Sequence, residues 1–198
     1  MKTELVEIGI QTVNLFGYTL YNLFAFFIVY AFLGWCLEVA YAAVNSGKFV
    51  NRGFLNGPVC PIYGFGVVIV IICLTPLAEN LPALFIGSVL LTSLLEYLTG
   101  LILEKVFANK WWDYSACPFN LKGYICLKFS LAWGIACVFV LKIIHPFIYK
   151  AIDLIPLLLG HLLIISLSLL FIIDFVTTAA SILKFNKRLR QIEEISLR

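Results

Sequence analysis

The sequence predicts an all-α, polytopic membrane helix bundle of about five transmembrane helices, and three observations carry that prediction. Of the 198 residues, 62% are hydrophobic and 13% charged, against about a quarter charged in water-soluble domains. Five apolar stretches, residues 19–44, 60–78, 82–107, 126–149 and 154–183, are each long enough at about 1.5 Å per residue to cross a hydrocarbon core of about 30 Å. The lysines and arginines fall mostly to one side of those stretches. Together the stretches form a single transmembrane domain over 19–184, preceded by an N-terminal segment (1–18) and followed by a basic tail (185–198).

The N-terminal segment carries Lys2, Glu4 and Glu7 and lacks a small-residue cleavage pattern after a short apolar core, which argues against a removable signal peptide. Leu5, Ile8, Thr12 and Leu15 recur at helical spacing, so residues 1–16 read as an amphipathic helix on the membrane surface. The first and third spans end near Glu38 and Glu104. The fourth is interrupted at its outer end by Lys142 and the His145-Pro146 pair. The fifth runs into Lys184, Lys187, Arg188 and Arg190, which suit a stop-transfer anchor.

Five spans put the termini on opposite sides. Lys48, Arg52, Lys105, Lys110, Lys122, Lys128, Lys184, Lys187, Arg188, Arg190 and Arg198 then share one face, leaving Lys2, Lys142 and Lys150 for the other. That bias places the N-terminus outside and the C-terminus in the cytoplasm of a plasma membrane. The net charge of +3 reports topology and contact with anionic lipid rather than a nucleic-acid partner. Cys60, Cys117 and Cys126 fall on the reducing face and Cys36, Cys73 and Cys137 within spans, so free thiols are expected. No C-x-x-C pair exists, and no metal or cofactor site is expected.

A shift of 66 positions aligns Gly34, Leu37, Glu38, Ala42, Leu55, Gly57 and Cys60 with Gly100, Leu103, Glu104, Ala108, Leu121, Gly123 and Cys126 without a gap. The match reads either as duplication of a two-helix unit, with copies related by an axis along the membrane normal, or as coincidence in an apolar chain.

The candidate site comes from acids and loops. An ionised carboxylate at mid-membrane costs about 2.5 to 3.5 kcal/mol on insertion scales, so Glu38, Glu96, Glu104 and Asp174 must face protein, water or a partner. The first loop, 51–66, is dense in glycine and proline, and its free N–H groups can present a nest to an anion. It has no Walker order. The second loop, 109–124, sets Trp111, Trp112 and Tyr114 beside Asp113, Ser115 and Asn120. These aromatics read as an interfacial belt or as the wall of a pocket, and a carboxylate among them favours the pocket. The expected ligand site therefore gathers Glu38, Glu96 and Glu104 with Arg52, Asn56, Asp113 and Asn120 around one cytoplasm-facing cavity, with Trp111, Trp112 and Tyr114 on its wall. The competing reading is a structural ion-pair network with Arg52, Lys105, Lys110, Lys122 and Lys128.

The strings GWCLEVAY, NRGFLNGPVCPIYGFG, LLEYLTGLILEKVF, KWWDYSACPFNLKGYICL and SLAWG resemble the bacterial integral membrane family called putative ABC-transporter type IV, or CmpB-like permeases. The resemblance runs from about Gly34 to Gly134 and implies a multi-pass plasma-membrane protein of transport type. Five spans are fewer than the six usual in an exporter half, and the chain carries no ATPase domain, so an ATPase would be a separate subunit. No catalytic residue carries over. The sequence thus reads as a transporter or permease-like subunit, embedded in the lipid bilayer, that binds a small polar or amphipathic molecule. A membrane enzyme acting on a lipid-linked substrate is the alternative, weakened because neither His145 nor His161 lies near the acids. A structural or regulatory subunit of a membrane complex is a third.

Overall fold

The computed structural model describes residues 14–15, 17–51 and 53–196. The expected N-terminal surface helix falls outside them except for its last residues, and Arg52 falls outside as well. Helices dominate: α1 (Leu20–Ser46), α2 (Pro61–Leu74), α3 (Leu81–Phe107), α4 (Leu127–Phe139), α5 (His145–Asp153) and α6 (Leu157–Ser196). Two small antiparallel hairpins accompany them. In one, β1 (Asn14–Leu15) pairs with β2 (Tyr18–Thr19); in the other, β3 (Asn120–Leu121) pairs with β4 (Ile125–Cys126).

Local chemistry sets the helix ends. The Thr19 hydroxyl accepts from the Asn22 N–H at 3.2 Å to cap α1, and the Asn80 side chain accepts from the Ala83 N–H at 3.1 Å to cap α3. α1 stops at Gly47 and α3 at Ala108, both in the left-handed conformation.

Four helical stretches are long and apolar enough to cross a membrane: Leu20–Ser46, Leu81–Phe107, Leu127–Asp153 and Leu157–Leu189. The second expected span is shorter. Thr75-Pro76 converts the end of α2 into a 3₁₀ turn, Thr75–Leu77, so the apolar unit Pro61–Leu77 rises about 27 Å. The fourth span holds together across its expected interruption. Pro146 cannot donate to the Lys142 carbonyl and its ring crowds that oxygen, and the backbone responds by widening into a π turn over Val140–Ile144. α4 and α5 therefore run as one span.

α1 packs along α2 and α3 along α4, giving two helical hairpins joined where α2 meets α3. The core between them is built around Phe26, Val70, Ile71 and Leu84. His145 is buried among aromatic rings, with Tyr18 and Tyr30 hydroxyls 3.4 and 3.3 Å from its two ring nitrogens. α6 leans on α1 and is the least buried of the spans, as a lipid-facing helix is.

Candidate functional site: three tyrosine–glutamate pairs

At the end of the bundle where loops 47–60 and 108–126 lie, three intramembrane glutamates each accept a hydrogen bond from a tyrosine. Tyr63 at the start of α2 donates to Glu38 Oε1 at 2.6 Å, Tyr114 from the second loop to Glu96 Oε1 at 3.0 Å, and Tyr124 from the same loop to Glu104 Oε2 at 2.7 Å. Glu38 and Glu104 each follow a glycine by one helical turn, and the tyrosine ring fills that notch. A Cβ on Gly34 would come within 2.2 Å of the Tyr63 ring, and one on Gly100 within 2.9 Å of the Tyr124 ring.

Glu96, two turns deeper than Glu104 on α3, is 9% exposed. Its Oε2 is buried and makes no hydrogen bond of close geometry among the described residues, although the Trp133 side chain lies near enough to act on the carboxylate as a donor. Such an acceptor is costly in a bilayer unless a donor reaches it. Tyr114 closes over Glu96 with its ring stacked on Phe129 at 4.7 Å, while Tyr63 meets Trp133 edge-on at 5.8 Å. The two pairs adjoin, since Glu38 acts electrostatically on Tyr114 as well as on Tyr63. Burial, followed by the charge and hydrogen bond of Glu96, pushes the Tyr114 phenol up, so it stays protonated and donates.

Cations are scarce here. Lys110 Nζ lies 3.8 Å from Glu104 Oε2 and 5.0 Å from the centre of the Tyr124 ring. Among the described residues, which do not include Arg52, no lysine or arginine pairs with Glu38, Glu96 or Asp174.

The nest expected in the first loop is present, and the chain fills it itself. The backbone N–H groups of Asn56 and Gly57 donate to Asp174 at 3.3 and 2.7 Å, joined by Asn56 Nδ2 at 3.1 Å and the Thr178 hydroxyl at 3.0 Å. The second loop is braced from within. Asp113 Oδ1 accepts from the Ser115 hydroxyl and N–H at 2.5 and 2.9 Å, which holds its carboxyl below the usual range. Asn120 donates to the carbonyls of Ser115 and Cys117 and accepts from the Gly123 N–H.

Residues 25–179 match the family described as Putative ABC-transporter type IV. The chain belongs to that family. No curated protein and no solved structure matches it. The family and the apolar helices together make it a multi-pass membrane protein of transporter type.

In this family member the ten residues expected to share one cavity divide into groups. Glu38, Glu96 and Tyr114 come together, and Glu104 adjoins Trp112, whose Nε1 donates to the Tyr124 carbonyl at 2.9 Å. Asn56 faces Asp174 instead of the glutamates, and Asp113 and Asn120 turn their polar atoms into their own loop. Trp111 lies in an aromatic cluster with Phe54 and Phe107. Arg52 is outside the described residues. Sequence reasoning missed Tyr63 and Tyr124, and the signal for them is a glycine one turn ahead of an intramembrane glutamate, which opens room for a long planar side chain. All six cysteines are free thiols, and among the described residues no group of three or more His, Cys, Asp or Glu is placed to hold a metal. Two clefts open at the opposite end of the bundle, lined by residues of 18–22 and 145–161.

Proposed function

We propose that the chain is a permease-like subunit that binds a small polar or amphipathic molecule on its cytoplasmic side, using Glu38 and Glu96 to hold a proton or the cationic group of that molecule. The observation that carries this reading is the buried Glu96 Oε2, which makes no close hydrogen bond among the described residues. It is an acceptor at membrane depth that no lysine or arginine among the described residues neutralises. Tyr114 covers Glu96 and must withdraw for a ligand larger than a proton to enter, which makes the second loop the gate. The N-terminus lies outside and the C-terminus in the cytoplasm, where a separate ATPase subunit would bind.

The test is purification in nanodiscs followed by mass spectrometry of retained small molecules, comparing the parent chain with Glu96→Gln. The amide preserves size and the Tyr114 contact but removes the charge. We expect a folded variant that no longer retains the ligand. A folded variant with full retention or transport would refute the site. An unfolded one restored by joint replacement of a cationic partner would make Glu96 a structural ion pair.

A further inference from the structure

At the far end of the bundle a cleft of about 570 Å³ opens between the start of α1, the end of α5 and the start of α6. Tyr21, Asn22, Tyr149, Asp153 and His161 contribute its polar and aromatic lining. His161 fixes what the cleft can take. Its Nδ1 lies 2.8 Å from the Leu157 carbonyl oxygen, which can only accept, so Nδ1 carries a proton, and in the neutral ring Nε2 presents a lone pair. That Nε2 is buried and meets no donor among the described residues.

The surroundings hold the imidazole in place. The Tyr21 ring packs against it at 4.9 Å. Gly160 makes this contact possible, because a Cβ there would fall 2.1 Å from the Tyr21 hydroxyl. Asp153 adds a second acceptor to the lining, and among the described residues no lysine or arginine pairs with it. The nearest lysine along α5, Lys150, lines the smaller neighbouring cleft with Tyr18, His145 and Tyr149.

A neutral imidazole lone pair, a carboxylate and two tyrosine rings select for one kind of ligand. The geometry points to a primary ammonium group as the occupant of this cleft. An anion meets the Asp153 charge and is repelled. A hydroxyl satisfies His161 but leaves Asp153 without a counter-charge. A quaternary ammonium suits the carboxylate and the aromatic faces but has no N–H for the imidazole. The ammonium can be that of a soluble amine or of an ethanolamine phospholipid. Leu154, 84% exposed at the cleft, gives the second an apolar flank.

The experiment uses the full chain in phosphatidylcholine nanodiscs. Soluble ethanolamine is titrated by calorimetry with choline as control, and phosphatidylethanolamine doped into the discs is followed by native mass spectrometry. Ethanolamine or its lipid should bind about tenfold more tightly than the choline counterpart. Asp153→Asn and His161→Phe should each weaken binding about tenfold, the loss of one charge-assisted hydrogen bond. Binding of the soluble amine alone identifies a soluble ligand, and binding of the lipid alone a headgroup site; either supports the assignment. Equal binding of ethanolamine and choline forms, or undiminished binding by Asp153→Asn, overturns it. Should His161→Phe fail to fold, the Asp153 variant decides, because that side chain is exposed. Glu96→Gln leaves this binding unchanged, so the two sites stand or fall separately.

Discussion

The Tyr63 hydroxyl reaches Glu38 over 2.6 Å because Gly34, one turn earlier on α1, leaves space for the tyrosine ring. The same device recurs on α3, where Tyr124 lies in the notch of Gly100 and donates to Glu104. The acids and glycines of the two segments correspond under the 66-residue shift, but the tyrosines do not. One donor comes 25 residues after its glutamate and the other 20. In each case the notch places a ring and a hydroxyl beside an intramembrane carboxylate, which lowers the cost of keeping it there.

Filling the notches should therefore destabilise the chain in a graded way. Gly34→Ala puts a methyl 2.2 Å from ring carbon of Tyr63 and Gly100→Ala one 2.9 Å from Tyr124. Overpacking costs about 1–3 kcal/mol, with Gly34→Ala at the upper end. Thermal unfolding in detergent should rank Gly34→Ala below Gly100→Ala. Adding Tyr63→Leu should recover part of the first loss. Equal melting temperatures for both single variants and the parent would mean the helices separate freely at these points.

Asp113 gives the second loop an acid-sensitive brace. Its folded carboxyl titrates below the ordinary value because Ser115 donates twice to it. A depressed folded value means the stabilisation is complete above the ordinary carboxylate range, near pH 4, and is lost as pH falls through the folded value. Hydrogen exchange at the Ser115 amide, corrected for intrinsic rates, should show constant protection above about pH 5 and falling protection below about pH 4. Asp113→Asn should abolish that pH dependence. Protection that rises on acidification would contradict the brace.

The bundle was legible in the sequence because the bilayer imposes length and hydropathy, and all five apolar stretches are helical. Two details depended on backbone geometry that hydropathy does not encode. Thr75-Pro76 shortened α2, and Pro146 widened its helix into a π turn where a break was expected. The acids were legible because charge is rare at membrane depth, but their partners were not. Asp174 takes its donors from Asn56 and Gly57, 118 and 117 residues earlier, and nothing local in either segment announces that contact. The aromatic company of Asp113 and Asn120 suggests ligand groups, and their hydrogen bonds brace the loop that carries Tyr114 to Glu96.

The proposed orientation rests on the lysine and arginine asymmetry and can be read by labelling. Ser46 is exposed at the end of α1, and Glu79 is exposed on the turn between α2 and α3 at the other end of the bundle. In a cysteine-free background, Ser46→Cys should react with a membrane-impermeant maleimide only after the cells are opened, and Glu79→Cys in intact cells. The reverse pattern would invert the proposed topology, and labelling of both from outside would show that α2 does not cross.

Tyr114 should be coupled to Glu96 more strongly than its packing alone requires. Tyr114→Phe keeps the ring on Phe129 and removes only the hydroxyl that donates to Glu96 at 3.0 Å. With Glu96 intact, that substitution leaves a buried carboxyl short of its tyrosine donor, at a cost of about 1–3 kcal/mol. In the Glu96→Gln background the acceptor is a neutral amide, which is cheaper to leave unpaired, so the same substitution should cost less than half as much. The difference between the two costs is a coupling energy that unfolding measurements on four chains supply. Additive effects would show that the hydroxyl acts on packing alone, and Tyr114 would then have no claim to gate the glutamate.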